Sequence, residues 1–291
     1  MKFDTINKAK VLLLLCLTTF LALPLFTSPA IAGNDDSDLN EVGVEWVENY
    51  HGVYGMNNLT WTSEEAEGFY NRLGEIGWTK KFDFGDDLAW EADFEKPAVN
   101  GWDYLYADNV DFAYFAGHGT PDAFWFGTKH DWDGTYLYCV HYSEAEWGDQ
   151  DLEWIVISAC NVLNDEYSDV FSRWGWPVFK GLHAIFGFAT IRYDQPIWIL
   201  YPFWWESPGA RFVDYMTTVY ITDPFVIMYS IGESWRRTTI DWQPSDVYGA
   251  ALAVYDPSTD YRGWDDYLPG YGYVGPDIDN PTSLVYMRWQ C

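Results

Sequence analysis

At 291 residues the chain exceeds the usual single-domain size, yet one α/β domain of this length is common once a targeting segment is set aside. The formal net charge of −28 at pH 7 repels phosphate backbones and argues against a nucleic-acid partner. Such acidity suits a high-salt exterior or basic protein substrates, and most simply it keeps the chain soluble.

Residues 1–32 carry Lys2, Lys8 and Lys10, then the apolar run Val11 to Leu25, then Ala30-Ile31-Ala32 before Gly33. This is the pattern of a secretory signal peptide, with a retained anchoring helix as the blander reading, so the expected localisation is secreted or extracytoplasmic. No later stretch is long and apolar enough to predict a membrane span. Residues 33–41 read as an acidic disordered leader, and residues 42–291 as a single α/β domain.

Val42, Val44, Trp46 and Val47 predict a first strand. Thr62 and Glu65 have the spacing of a capping box for a helix that carries Ala66, Phe69, Tyr70, Leu73 and Ile76 on one face. The run Val110 to Ala116, apolar but for Asp111, stops at Gly117-His118-Gly119-Thr120, a strand ending at a histidine. Thr135 to Tyr142 read as another strand, and Leu152 to Ile157 as a nearly uninterrupted apolar one ending at Ser158-Ala159-Cys160. Ala184 to Ile191 and Gly249 to Tyr255 add two further strands. Phe225, Met228, Ile231 and Trp235 keep helical spacing, and residues 256–281 read as a long ordered surface segment. Strands apolar on both faces, with helices between several of them, imply a mostly parallel sheet sandwiched by helices.

Cys16 leaves with the signal, so Cys139, Cys160 and Cys291 remain, an odd number in an oxidising compartment. The simplest arrangement bridges Cys139 to Cys291 and leaves Cys160 free; the other pairings and three free thiols stay open. In open parallel sheets functional groups gather at the carboxyl ends of strands, where His118 and Cys160 both fall. An imidazole that takes the thiol proton makes a nucleophile and can later protonate a leaving amine, while Gly119 can offer an unobstructed backbone N–H to an oxyanion.

The blocks Phe112-Ala113-Tyr114-Phe115-Ala116-Gly117-His118-Gly119 and Trp154-Ile155-Val156-Ile157-Ser158-Ala159-Cys160 resemble the two signature blocks of the caspase, gingipain and legumain superfamily of cysteine peptidases. The resemblance implies a three-layer α/β/α caspase-like fold with a mostly parallel central sheet. It implies His118 as general acid/base, Cys160 as nucleophile, Gly119 as oxyanion donor, and a protein or peptide substrate. The chain departs from true caspases in having Ser158 before Ala159-Cys160 and Asn161-Val162 after, so aspartate specificity is not carried over. A catalytically inactive domain of the same fold, serving as a secreted binding protein, is the competing expectation.

Among rivals, His51-Gly52 is a second His-Gly pair, and His130 and His141 flank the turn Asp131-Trp132-Asp133-Gly134, whose start resembles a calcium loop without its later acidic ligand. No zinc spacing occurs, and no metal or cofactor is expected. His183 reads as structural, Asp194 as a weak candidate for selecting a basic residue, and Trp204-Trp205 as a candidate exposed aromatic surface.

Overall fold

Phe112–Ala116 and Trp154–Ser158 bury every residue, which requires cover on both faces of the sheet they belong to. The computed structural model describes residues 40–129, 136–200, 204–218, 220–222 and 225–291. The expected signal segment, Cys16, most of the leader, His130 and the calcium-like turn 131–134 lie outside the described residues.

In chain order the strands are β1 (Glu41–Trp46), β2 (Thr79–Gly85), β3 (Phe112–Ala116), β4 (His118–Gly119), β5 (Ala123–Trp125), β6 (Cys139–His141), β7 (Trp154–Ser158), β8 (Ala184–Phe188), β9 (Ile197–Leu200), β10 (Trp204–Glu206), β11 (Tyr220–Thr222), β12 (Phe225–Ile227), β13 (Tyr248–Asp256), β14 (Tyr261–Arg262) and β15 (Leu284–Gln290). The α-helices among the described residues are α1 (Thr62–Glu75), α2 (Pro208–Thr217) and α3 (Ile231–Trp242). The central sheet runs β2-β1-β3-β7-β8-β13, parallel from β2 to β8. β13 joins antiparallel to β8, and β15 and β14 pair antiparallel with β13. The protein is thus α/β with a mostly parallel, mixed central sheet.

Strand alternation separates two cores. Phe112, Tyr114, Val156 and Phe186 face Phe69, Leu73, Phe212, Met216 and Trp235 of the three helices. The rings of Phe69 and Phe112 meet at 4.9 Å and those of Phe212 and Trp235 at 5.4 Å. Truncating Phe212 to Ala would cost about 3–5 kcal/mol, because a large buried ring leaves a cavity that neighbours cannot fill. On the other face, Ala113, Phe115, Ile155, Ile157 and Ile185 pack against Phe94, Phe124, Trp147 and Trp174.

That second face is not covered by α-helices among the described residues. Short 3-10 turns, a π-helical turn at Phe171–Gly175 and the small antiparallel sheet β4-β5-β6 cover it instead. The intervening sequence explains this: Pro121-Asp122, Gly127, Gly148 and Trp176-Pro177 interrupt it too often for a helical stripe to develop.

Several expectations need correction. Thr62 and Glu65 form no capping box: Thr62 is already helical and donates its hydroxyl to Val47 O at 3.0 Å, while Glu65 turns into the core and accepts from Tyr114 Oη at 2.7 Å. The helical spacing from Phe225 does not begin a helix there. Residues 225–227 are strand, and α3 starts after Ser230, whose Oγ accepts the Glu233 N–H at 3.3 Å. No disulfide joins Cys139 to Cys291. Cys139 belongs to the small sheet over one face, and Cys291 packs against the core of the other. No helix among the described residues is long and apolar enough to cross a membrane.

Candidate functional site

Ala116 of β3 pairs with Ser158 of β7, and the Gly117 N–H donates to Ser158 O at 3.2 Å. His118 and Cys160 each lie two residues beyond that pair, so they leave the carboxyl ends of neighbouring parallel strands side by side. Gly119 makes the approach feasible. A Cβ there would stand 2.7 Å from both Ala159 Cβ and Cys160 O. The Thr120 N–H to Ala123 O bond closes the β4–β5 hairpin, and ladder alternation then leaves the Gly119 N–H outside the bonding to β5.

His118 is half-buried and fixed from three sides. Its backbone N–H donates to Tyr50 Oη at 2.7 Å, its ring lies 4.6 Å from the Tyr50 ring, and Nε2 is 2.8 Å from Asn57 O. A carbonyl only accepts, so Nε2 carries the proton, and in the neutral ring Nδ1 keeps a lone pair. Burial chiefly holds this histidine below its usual pKa; the Asn57 carbonyl opposes that shift and the Arg192 charge adds to it. The ring is therefore neutral, and a proton acceptor, at neutral pH. Tyr50 is wholly buried, and its hydroxyl also donates to Trp125 O at 3.1 Å, tying β5 to the loop after β1.

Asn57 is held by a loop that Asp86 organises, accepting the N–H groups of Glu48 and Asn49 at 2.8 and 2.7 Å. Within the following turn His51, Gly52, Tyr54 and Gly55 all adopt positive φ. For His51 and Tyr54 such backbone costs about 1–3 kcal/mol each, strain that elsewhere marks functional segments.

Cys160 is partly buried and reduced. After it, Asn161 takes φ 62°, a left-handed conformation that asparagine tolerates, and its N–H donates to Thr190 O at 3.0 Å. The turn thus binds the end of β8, where Arg192 enters the site. The Arg192 N–H donates to Cys160 Sγ at 3.4 Å, and the thiol reaches Arg192 O at 3.7 Å. The Arg192 guanidinium is buried: Nε donates to Ser158 O at 3.1 Å and Nη1 lies 3.1 Å from Glu65 Oε2, with the plane over Trp242. Burial alone would lower its pKa, but nearby negative charge, that of Glu65 foremost, outweighs this and raises it.

Arg192 and Glu65 were not anticipated from sequence. The available signal was a charged residue four positions past the all-apolar strand β8, at the third strand end beside the site. Asp194, two residues on, is not free to select a basic side chain: its carboxylate accepts the N–H groups of Thr60 and Trp61, at 2.6 and 3.2 Å.

The other candidates fall elsewhere. His51 Nε2 pairs with Asp87 at 2.7 Å on the surface, and His141 stacks on Tyr136 and bonds Ser143 Oγ. His183 is structural in its contacts, buried between Asp266 at 2.7 Å and Asp277 at 3.0 Å. Trp205 is 44% exposed and meets Trp61 edge-on at 5.3 Å.

Beside His118 opens a pocket of about 250 Å³ lined by Tyr54, Met56, His118, Gly119, Thr120 and Trp125. A half-buried neutral imidazole, a reduced thiol on the adjacent strand end and an open apolar pocket can together support nucleophilic attack on a bound carbonyl.

No curated protein matches the chain. A family model described as a domain of unknown function, DUF6345, matches residues 44–291, from within β1 to the last residue, and so takes in both strand ends and the pocket. On this match the chain belongs to the DUF6345 family.

Proposed function

We propose that the protein is an exported cysteine endopeptidase, with Cys160 as nucleophile and His118 as general acid/base, built on a variant of the caspase-like fold in which loops and a small sheet replace the second helical layer. The observation that carries this reading is the registered meeting of the two strand ends, with His118 Nε2 committed to Asn57 O so that Nδ1 is available for the thiol.

In this mechanism His118 Nδ1 accepts the Cys160 S–H proton, and the thiolate attacks the peptide carbonyl carbon. The C=O electrons move onto oxygen, which the N–H groups of Gly119 and Cys160 stabilise. The tetrahedral adduct collapses, the C–N bond breaks, and His118 returns the proton to the leaving amine. Water, deprotonated by His118, then attacks the thioester carbonyl carbon; the adduct collapses, the C–S bond breaks, the acid product leaves and His118 returns its proton to the Cys160 thiolate. Arg192 holds the thiol by its backbone and places a fixed positive charge behind it.

A second reading is an inactive domain that binds a secreted or surface partner. It is favoured by the thiol's engagement with the Arg192 backbone and by Asn161-Val162 after the cysteine. Labelling of the intact protein with a peptidyl acyloxymethyl ketone separates the two. A covalent adduct on Cys160 that disappears in His118→Ala supports the enzyme, and absence of any adduct on a thiol that iodoacetamide still reaches supports the binding protein.

A further inference from the structure

The pocket beside His118 is lined by Tyr54, Met56, Trp125, His118, Gly119 and Thr120, and Cys160 does not line it. General-acid chemistry gives this asymmetry a meaning. In peptide cleavage the histidine protonates the leaving amine, so space reached past the histidine, away from the nucleophile, lies on the leaving-group side of the bond.

The lining also fixes the chemistry of an occupant. Tyr54 and Trp125 meet edge-on at 5.5 Å, Met56 adds a polarisable, adaptable side chain, and His118 is the one titratable group apart from the Tyr54 phenol. At about 250 Å³ the space falls below the roughly 300–1,000 Å³ of pockets that enclose a whole small molecule, and it suits a single large side chain.

Tyr54 supplies an independent observation. It is 72% exposed and has φ 48°, in a turn where His51, Gly52 and Gly55 are also left-handed. Its ring meets those of Trp125 and Tyr138 edge-on, at 5.5 and 6.1 Å, yet most of its surface still faces solvent, and a side chain laid against its ring and that of Trp125 would add buried contact to this strained turn.

We propose that this pocket receives the side chain of the residue immediately after the cleaved bond, and that this side chain is large and apolar, preferably aromatic. The assignment of the pocket to that position rests on the peptidase reading above.

Two measurements test it. Phenylalaninamide, which mimics the amine released by cleavage before a phenylalanine, is titrated into full-length Cys160→Ala protein and followed by NMR or tryptophan fluorescence, with glycinamide as the comparison. The wild-type protein is then profiled on a peptide library. The expected results are binding of phenylalaninamide at least tenfold tighter than glycinamide, and cleavage enriched before Phe, Tyr, Trp, Leu and Met. In Tyr54→Gly, which keeps the left-handed turn, and in Met56→Trp, which fills the pocket, both preferences fall at least tenfold. Cleavage with no preference at the residue after the cut, or with the apolar preference before it, would overturn the proposal while leaving the peptidase reading standing. Equal binding of the two amides would overturn it as well. Tyr54-dependent binding of phenylalaninamide by a protein that cleaves no peptide would keep the pocket as an apolar side-chain site and remove the peptidase reading.

Discussion

Arg192 donates its backbone N–H to Cys160 Sγ at 3.4 Å while its guanidinium, buried on the helical side of the sheet, lies 3.1 Å from Glu65 Oε2. One residue therefore ties the Cys160 thiol to α1. Removing the guanidinium alone in Arg192→Met leaves Glu65 buried without its counter-charge and is expected to cost about 3–5 kcal/mol of stability. Combining it with Glu65→Gln, which keeps a hydrogen-bond acceptor for Tyr114, should restore most of that loss. Denaturant midpoints of the four proteins in the cycle measure the coupling, and additive costs would contradict the pairing described here.

Gly119→Ala brings a methyl group within 2.7 Å of Ala159 Cβ and Cys160 O. Because one of those neighbours is backbone, relief requires the two strand ends to separate, at an expected cost of about 1–3 kcal/mol. Cleavage should fall more than that modest loss of stability explains, since the same movement displaces His118 from Cys160. A variant with unchanged turnover would show that the close approach is not needed for chemistry.

His183 is buried, and burial alone would lower its pKa. The charge of Asp266 and its hydrogen bond, with Asp277 behind them, outweigh burial and raise the pKa to about 9. A histidine raised on folding contributes stability that is fully present below its unfolded value near 6.5 and is lost as pH rises through about 9. The wild-type protein should therefore lose on the order of 2–3 kcal/mol relative to His183→Asn between those limits. Melting curves of the two proteins from pH 6 to 10 measure the difference; a constant offset would mean that His183 is not charged in the fold.

Asp93 carries a raised carboxyl pKa of about 7, caused by burial, next to Glu45, whose carboxyl is raised well above the usual range by burial and by Asp93. A carboxyl raised on folding is protonated in the fold and ionised in the unfolded chain between about 3.8 and 7, so its stabilisation is present at low pH and is lost across that window. Asp93→Asn supplies a permanent donor toward Glu45 and should raise the melting temperature at pH 8 more than at pH 4.

The sheet and the site were legible in sequence to different depths. The strands that lead to His118 and Cys160, β3 and β7, are apolar at every position except Ser158 because both faces are covered, and that pattern needs no structure to be seen. β2 was not read, since as an edge strand it exposes Lys80 and Lys81 and buries little besides Phe82. β15 is faint in sequence because its apolar run is short, Leu284 to Met287, and gives way to Arg288-Trp289-Gln290 without an alternating pattern, in keeping with residues that are only partly buried or exposed. Glu65 has the spacing of a capping residue, and its turn toward Arg192 depends on a partner 127 positions away that local sequence rules do not see. The role of Asn57 was equally hidden, because it acts through a backbone carbonyl that any residue could supply.

The most direct test of the account is hydrolysis itself. Full-length wild-type protein, Cys160→Ala and His118→Ala are incubated with a diverse peptide library, and the products are identified by mass spectrometry, with circular dichroism confirming that all three are folded. The expected result is cleavage by the wild type, none by Cys160→Ala, and a rate at least 100-fold lower in His118→Ala, the scale of general acid–base catalysis. Cleavage by Cys160→Ala at the wild-type rate, or no cleavage by any folded form, would contradict it.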